Sequence, residues 1–250
     1  MGYTAIAAHP SRRRCAPPQD EVVFFVVNYV FQFGTVWPEA DKLLLGTWFT
    51  LRLSTLAMGL GLAVGVLGAL GKSSASRWVR ALVHGYVEAV RNTPFLVQLL
   101  LLYLGLPSLG LRLTPDQAAL LAMVVNLGAY ATEIVRAGIE AVPPGQIEAG
   151  RALGLRPHQI FRFIVLVPAL RIVFPALGSQ FILVMLASSV VSVISAEELT
   201  AVADTIIARN FRSFEFYFIV TGIYLALSLA FQTVFAAIDR FLFRRWSAHT

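Results

Sequence analysis

The sequence predicts an all-α, polytopic membrane protein with about five core transmembrane helices, on three observations. Of its 250 residues, 57% are hydrophobic and only 14% are charged, whereas a soluble domain carries roughly 25% charged residues. Several apolar runs approach or exceed the ~20 residues that a helix needs to cross a bilayer. The basic residues gather in the short stretches between alternate runs, the pattern that orients helical membrane proteins. That placement accounts for the net charge of +6 without nucleic acid, so no nucleic-acid partner is expected.

Residues 1–42 read as an N-terminal tail and a short interfacial apolar segment. The first twenty positions are polar, with Arg12, Arg13, Arg14 and the pair Pro17-Pro18, a composition that suits a disordered tail. The basic run before an apolar one has the outline of a signal sequence, but no clear small-residue cleavage site follows. Residues 22–33 (VVFFVVNYVFQF) are too short for a span and contain Asn28 and Gln32. An interfacial helix fits them better than a crossing.

Residues 43–240 read as one transmembrane domain, and 241–250 as a tail. The expected spans are 43–71, 82–106, 117–135, 169–194 and 216–238. In the first, Gly61 and Gly65 lie four apart and Gly68 follows, which permits close approach of another helix backbone. The second has a polar start at Glu88, Arg91, Asn92, Thr93 and Pro94. Pro94 removes a backbone donor and biases Thr93 away from helix, so the chain is expected to break there. Two geometries fit: a broken helix lining a cavity, or a helix start capped by Thr93 with Pro94 in first position. Residues 195–215, with acids Glu197, Glu198, Asp204 and Glu215, read as a polar loop.

Charge orients the five spans. The segments 72–80 and 136–162 and the tail after 239 fall on one side and hold ten Lys or Arg, against three in 107–116 and 195–215. The first side is therefore expected to be cytoplasmic, with the C-terminus inside. The Arg12–Arg14 run then sits on the opposite side from this rule, and the sequence leaves open whether 22–33 crosses.

Each remaining span carries a polar stripe. The third has Asn126, Tyr130 and Glu133, the fourth Gln180, Ser188 and Ser192 with Ser189 beside them, and the fifth Thr221, Tyr224, Ser228 and Gln232. Helical periodicity gathers each set on one face, and unsatisfied polar groups in lipid cost several kcal/mol, so these faces should point into the bundle. They serve either as the lining of a polar pathway or as interhelical hydrogen bonds. Asn126, Tyr130, Gln180, Ser188, Ser189 and Ser192 are the pathway candidates.

No catalytic residue, metal site or cofactor is expected on the chain. The lone Cys15 excludes an internal disulfide, and His9, His84, His158 and His249 show no ligand spacing. Phosphate-loop and nucleophile motifs are missing from the sequence.

The polar interruption between the third and fourth spans, about 140–163, is the most distinctive stretch. Around it the chain reads PPGQIEAGRALGLRPHQIFRFIVLVP from Pro143 to Pro168. Its breakers Pro143, Pro144, Gly145, Gly154, Pro157 and Pro168 leave room for two short helices with a turn near Gly154. Arg151, Arg156, His158 and Arg162 make it basic.

Within it Glu148-Ala149-Gly150, with Gly154 four residues on, resembles the EAA loop of ATP-binding-cassette importer permeases. LLLGTWFTLRLS (43–54), YVEAVRNTPFLVQLLLLYLGLP (86–107), AYATEIVRAGIEAVPPGQIEAGRALGL (129–155) and VSVISAEELT (191–200) are similar, in order and spacing, to the branch that takes up polar amino acids. The resemblance implies a multi-pass protein of a bacterial inner membrane, with Glu148, Ala149, Gly150, Arg151 and Gly154 forming a cytoplasmic coupling helix. It implies two ATPase subunits that bind ATP and Mg, a second permease subunit, alike or different, and an external substrate-binding protein. Three departures stand out: Gly150 replaces the usual Ala, Val167 separates Leu166 from Pro168, and Leu186-Ala187 replaces the charged pair usual before Ser188-Ser189. The rival readings are a self-contained secondary transporter or channel, against which the sparse intramembrane charge speaks, and a membrane scaffold without transport.

Overall fold

The computed structural model of the protein describes residues 29–243. The tail expected over 1–20, most of the 22–33 segment and the end of the C-terminal tail lie outside the described residues. The chain divides at Phe31 into two units. In the first, Tyr29 and Phe31 meet edge to face with ring centroids 5.2 Å apart. The second holds nine α-helices among its described residues: α1 Ala40–Lys72, α2 Arg77–Arg91, α3 Phe95–Gly105, α4 Pro115–Glu140, α5 Pro144–Ala152, α6 Pro157–Ile160, α7 Leu166–Ala187, α8 Leu199–Asn210 and α9 Ser213–Phe243. No strand occurs among the described residues. Four continuous helical stretches are long and apolar enough to cross a membrane: Phe33–Lys72, Pro115–Glu140, Pro157–Ile194 and Ser213–Leu242. A fifth crossing requires α2 and α3 together. The fold is thus the all-α polytopic architecture expected, with four spans or five.

The centre of the bundle is the packing of α1 on α4. Gly61, Gly65 and Gly68 of α1 face Leu127, Ala131 and Thr132 of α4, and a methyl on Gly61 would come within 2.8 Å of the Leu127 side chain. Small residues here let the backbones approach, which supplies dispersion contact where lipid removes the hydrophobic driving force. α4 starts sharply because Thr114 and Gln117 cap each other reciprocally, at 3.3 and 3.1 Å, with Pro115 in first position. Around this pair Leu53, Leu99, Met123, Phe181, Met185 and Val191 complete the main core.

Three expectations about element boundaries need correction. The span placed at 82–106 starts earlier, at Arg77, and of the two geometries open at Pro94 it takes the broken one, with α2 and α3 bent by 110°. The fourth span does not begin at 169. The second helix of the interruption runs into it through a π-helical segment at Phe161–Val165, giving a continuous stretch Pro157–Ile194. Pro168 offers no N–H to Ile164, and the wider π turn directly ahead of it accommodates that loss instead of a kink that would end the helix. Finally, 195–215 is not a loop. It contains α8, entered through Ser195 in the left-handed region (φ 60) and packed on α1 and α9.

Candidate functional site

Pro94 has no N–H and takes an extended ψ of 139°, so α2 cannot continue into α3. The break leaves carbonyls without helical partners, and Gln98 of α3 satisfies them. Its side-chain amide nitrogen donates to the Val90 carbonyl (2.7 Å), the Thr93 carbonyl (3.0 Å) and the Thr93 hydroxyl (2.9 Å). Its oxygen accepts from Asn126 Nδ2 of α4 at 3.0 Å. One turn further along α4, Tyr130 presents its ring to the Arg91 guanidinium at 5.6 Å. Asn92 Nδ2 donates to the Glu88 carbonyl (2.8 Å) and carboxylate (3.0 Å). Two sets that the sequence leaves separate therefore meet: Glu88, Arg91, Asn92, Thr93 and Pro94 on one side, Asn126 and Tyr130 on the other. Arg91, Asn92, Thr93 and Pro94 are exposed, while Asn126 and Tyr130 are half-buried.

The details of this cluster depart from expectation. Thr93 is not the cap of a new helix: Pro94 holds the cap position, and the Thr93 hydroxyl donates back to Ala89 at 2.8 Å. The Glu88 carboxylate engages Asn92. Gln98, the hub, was missed, although a lone amide within FLVQLLLLYLG is the signal that could have found it.

The serines behave differently. From Ser188 to Ile194 the chain tightens into a 3-10 helix, so the four-residue spacing of the expected stripe no longer gathers one face. Ser188 donates to the Met185 carbonyl (2.6 Å), Ser189 to Leu186 (2.8 Å) and Ser192 to Ser189 (2.8 Å). Each hydroxyl proton is used on its own turn, and Ser188 is fully buried. The segment packs against α3 and α4, yet none of the serines reaches Asn126 or Tyr130 by a hydrogen bond. Gln180 is half-buried two turns earlier on α7.

The interruption forms its own small unit. Val142, Ile160 and Val165 make a core with Ile147, Leu155 and Ile164. Gly150 is the buried point of α5, facing Ile164, while Gly154 turns the chain at φ +74 with open space around it. Glu148, Ala149, Arg151 and Gly154 are exposed. Glu148 makes no hydrogen bond or ion pair among the described residues. An apolar hollow of about 440 Å³ opens beside α5 between Ile147, Arg151, Leu155 and Phe161.

Between this unit and the break lies Glu133. One carboxylate oxygen pairs with Lys72, the last residue of α1. The other accepts from Arg136 Nη2 at 3.0 Å and Nε at 3.2 Å. Arg136 also pairs with Glu140, the last residue of α4.

Two buried carboxylates escaped the sequence reading, which put them in a solvated loop. Glu198 caps α8 by accepting from Ala201 N–H (2.8 Å) and also accepts a hydrogen bond from the Tyr224 hydroxyl at 2.6 Å. Burial outweighs these bonds and raises its pKa above the ordinary carboxylate value. Glu215 accepts from the Gln32 N–H at 2.9 Å. Thr50 of α1, also fully buried, accepts from the Leu199 N–H at 3.1 Å and so holds the start of α8.

The chain is similar to known proteins. The chain is 33% identical over 212 residues to the glutamine transport system permease protein GlnP of Escherichia coli K12, covering 84% of this chain and 97% of that one. It is 37% identical over 197 residues to the nopaline transport system permease protein NocM of Agrobacterium fabrum, covering 75% and 82%. The crystal structure of an amino acid ABC transporter with histidines superposes with a TM-score of 0.80 at 36% identity, covering 85% of this chain and 99% of that one. The family model described as binding-protein-dependent transport system inner membrane component matches residues 24–244. This chain belongs to the family of inner membrane components of binding-protein-dependent transport systems.

Proposed function

We infer that the protein is the permease subunit of an ATP-driven importer of polar amino acids in a bacterial inner membrane. The observation that carries this reading is the pairing, at and beyond α4, of an exposed broken helix with an exposed loop whose Glu148 makes no hydrogen bond or ion pair among the described residues. The break displays a cation at Arg91, a carboxylate at Glu88 and the amide of Asn92. A zwitterion needs both signs within reach, and non-helical backbone at membrane depth belongs where it lines a cavity. The loop offers Glu148, Ala149, Arg151 and Gly154 on a small, self-packed platform. The family and the glutamine and nopaline permeases point the same way.

In this reading two ATPase subunits, carrying ATP and Mg, dock on the Glu148 loop of this chain and of a second permease. An external binding protein delivers the substrate. The loop and the C-terminus face the cytoplasm in this reading, which the ten-to-three basic asymmetry of the connecting segments supports. ATP-driven closure moves the loop, and the bundle alternates between outward and inward openings past Asn126 and Tyr130. Gln180, Ser188, Ser189 and Ser192 stand further along that pathway. The test is co-purification with the ATPase and binding protein, followed by uptake in proteoliposomes. Substituting Glu148 and Gly154 together should weaken docking or coupling. Uptake that runs on an ion gradient without ATP would instead make the chain a secondary transporter.

A further inference from the structure

The Lys72–Glu133–Arg136–Glu140 network sits where the third span meets the loop, and neither the pathway nor the docking surface accounts for it. Glu133 receives two cations, one from the end of another helix and one from its own. Its side chain is only 17% exposed, and that of Lys72 13%. The order along α4 is informative. Asn126 holds Gln98 and the break, Tyr130 lies under Arg91, Glu133 holds α1, and Glu140 is the last residue before the Ala141–Pro143 turn into α5. Above Glu133 the glycines of α1 press on Leu127, Ala131 and Thr132, which limits sliding of the two helices. At Glu133 a charge pair fixes their ends.

We propose that Glu133 is a positioning residue for coupling: by tying Lys72 to Arg136 it makes α1 and α4 move as one body when the loop is displaced. The proposal rests on the permease reading. A pull on α5 reaches α4 through Glu140 and the short turn behind it. Without the Glu133 bridge that pull bends the end of α4 locally. With it, the displacement also carries α1, and with α1 the face against which α2, the helix ahead of the break, is packed. A carboxylate shared between cations from two elements suits this task, because loss of its charge frees Lys72 of α1 and leaves Arg136 to Glu140 of its own helix. Glu133 touches no substrate in this scheme.

The test uses the full transporter, with ATPase and binding protein, in proteoliposomes, reading ATP hydrolysed and substrate accumulated in parallel. Glu133→Gln and Lys72→Met should assemble and hydrolyse ATP at rates near the parent. Their substrate moved per ATP should fall about tenfold, the upper range for a mutation that alters coupling without touching a ligand. Glu133→Asp and Lys72→Arg, which keep the charges, should recover most of the ratio. If hydrolysis and uptake fall in the same proportion, or if the ratio is unchanged in both neutral variants, Glu133 only supports the fold and the proposal is overturned. Should one neutral variant fail to assemble, the other together with the two charge-conserving variants decides. A parent complex that transports without ATP overturns the permease reading itself, and this inference with it. A parent that couples normally beside neutral variants that also couple overturns this inference alone.

Discussion

Asn126 donates to Gln98 across 3.0 Å, from the third span to the helix that follows the break. The bond orients the Gln98 carboxamide so that its nitrogen faces the Val90 and Thr93 carbonyls. Gln98→Leu should therefore be more damaging than the loss of one polar contact. It leaves the Val90 carbonyl, at a largely buried position, with no closer donor than the Thr93 hydroxyl at 3.5 Å, which costs about 1–3 kcal/mol. Gln98→Glu should be worse still, since it places acceptors against acceptors. Asn126→Leu removes one interhelical bond and should cost about 1 kcal/mol. Unfolding of the three variants in detergent checks the ranking. Equal stabilities would mean that the break is held by packing alone.

Gly150 and Gly154 of the loop differ in what holds them, and their substitutions should differ accordingly. At Gly154 nothing approaches within 4 Å, but φ is +74. The cost of a side chain there is conformational, about 1–2 kcal/mol for Ala. Asn, which tolerates the left-handed region, should be milder. Gly150 is helical, and a Cβ there would overlap the end of the Ile164 side chain at 2.5 Å, with Ile160 at 3.4 Å and Leu155 at 3.7 Å in ordinary contact, so the Ile164 terminus must move aside. Gly150→Ala gains about 1 kcal/mol of helix propensity against that small displacement, so it should be close to neutral. ATPase binding measured across Gly154→Ala, Gly154→Asn and Gly150→Ala should rank in that order from weakest to strongest. A Gly150→Ala variant weaker than Gly154→Ala would show that docking depends on the space at Gly150 rather than on the turn.

Much of this architecture was legible because the signals were local. The Gly61, Gly65 and Gly68 spacing anticipated a close helix contact, and α4 is that contact. The Pro94 break and the Gly154 turn followed from backbone chemistry that these residues impose anywhere. What stayed hidden depends on the tertiary surroundings. A 110° bend is not written in Asn92-Thr93-Pro94, since the same residues also fit a simple helix start. The π segment before Pro168 replaces a kink with a continuous helix, and periodicity cannot distinguish the two. The 3-10 turn at Ser188–Ile194 dispersed a stripe that a regular helix would have aligned. Glu198 and Glu215 read as solvated because acids usually are. Their burial follows from partners at Tyr224, Ala201 and Gln32, in two cases more than twenty residues away.

Glu198 makes the stability of this region depend on pH, in a direction that its burial decides. The carboxyl is fully enclosed, and desolvation raises its folded-state pKa above the ordinary 4.5. The folded protein thus holds this proton more tightly than the unfolded chain does. The contribution is fully present below about pH 4.5, the unfolded value, and is lost as pH rises through the higher folded value. Above that value the Tyr224 hydroxyl and the Ala201 N–H still hold the carboxylate, so α8 stays capped but the protein is less stable. Glu198→Gln keeps the shape and both bonding partners while removing the charge. Its melting temperature relative to the parent should therefore rise as pH is taken from about 4 to about 7, and level off above the folded pKa. Comparing the two proteins at each pH cancels the titration of every other carboxylate. A difference that stays flat across the range would mean that Glu198 is ionised throughout, and that its surroundings are wetter than its burial implies.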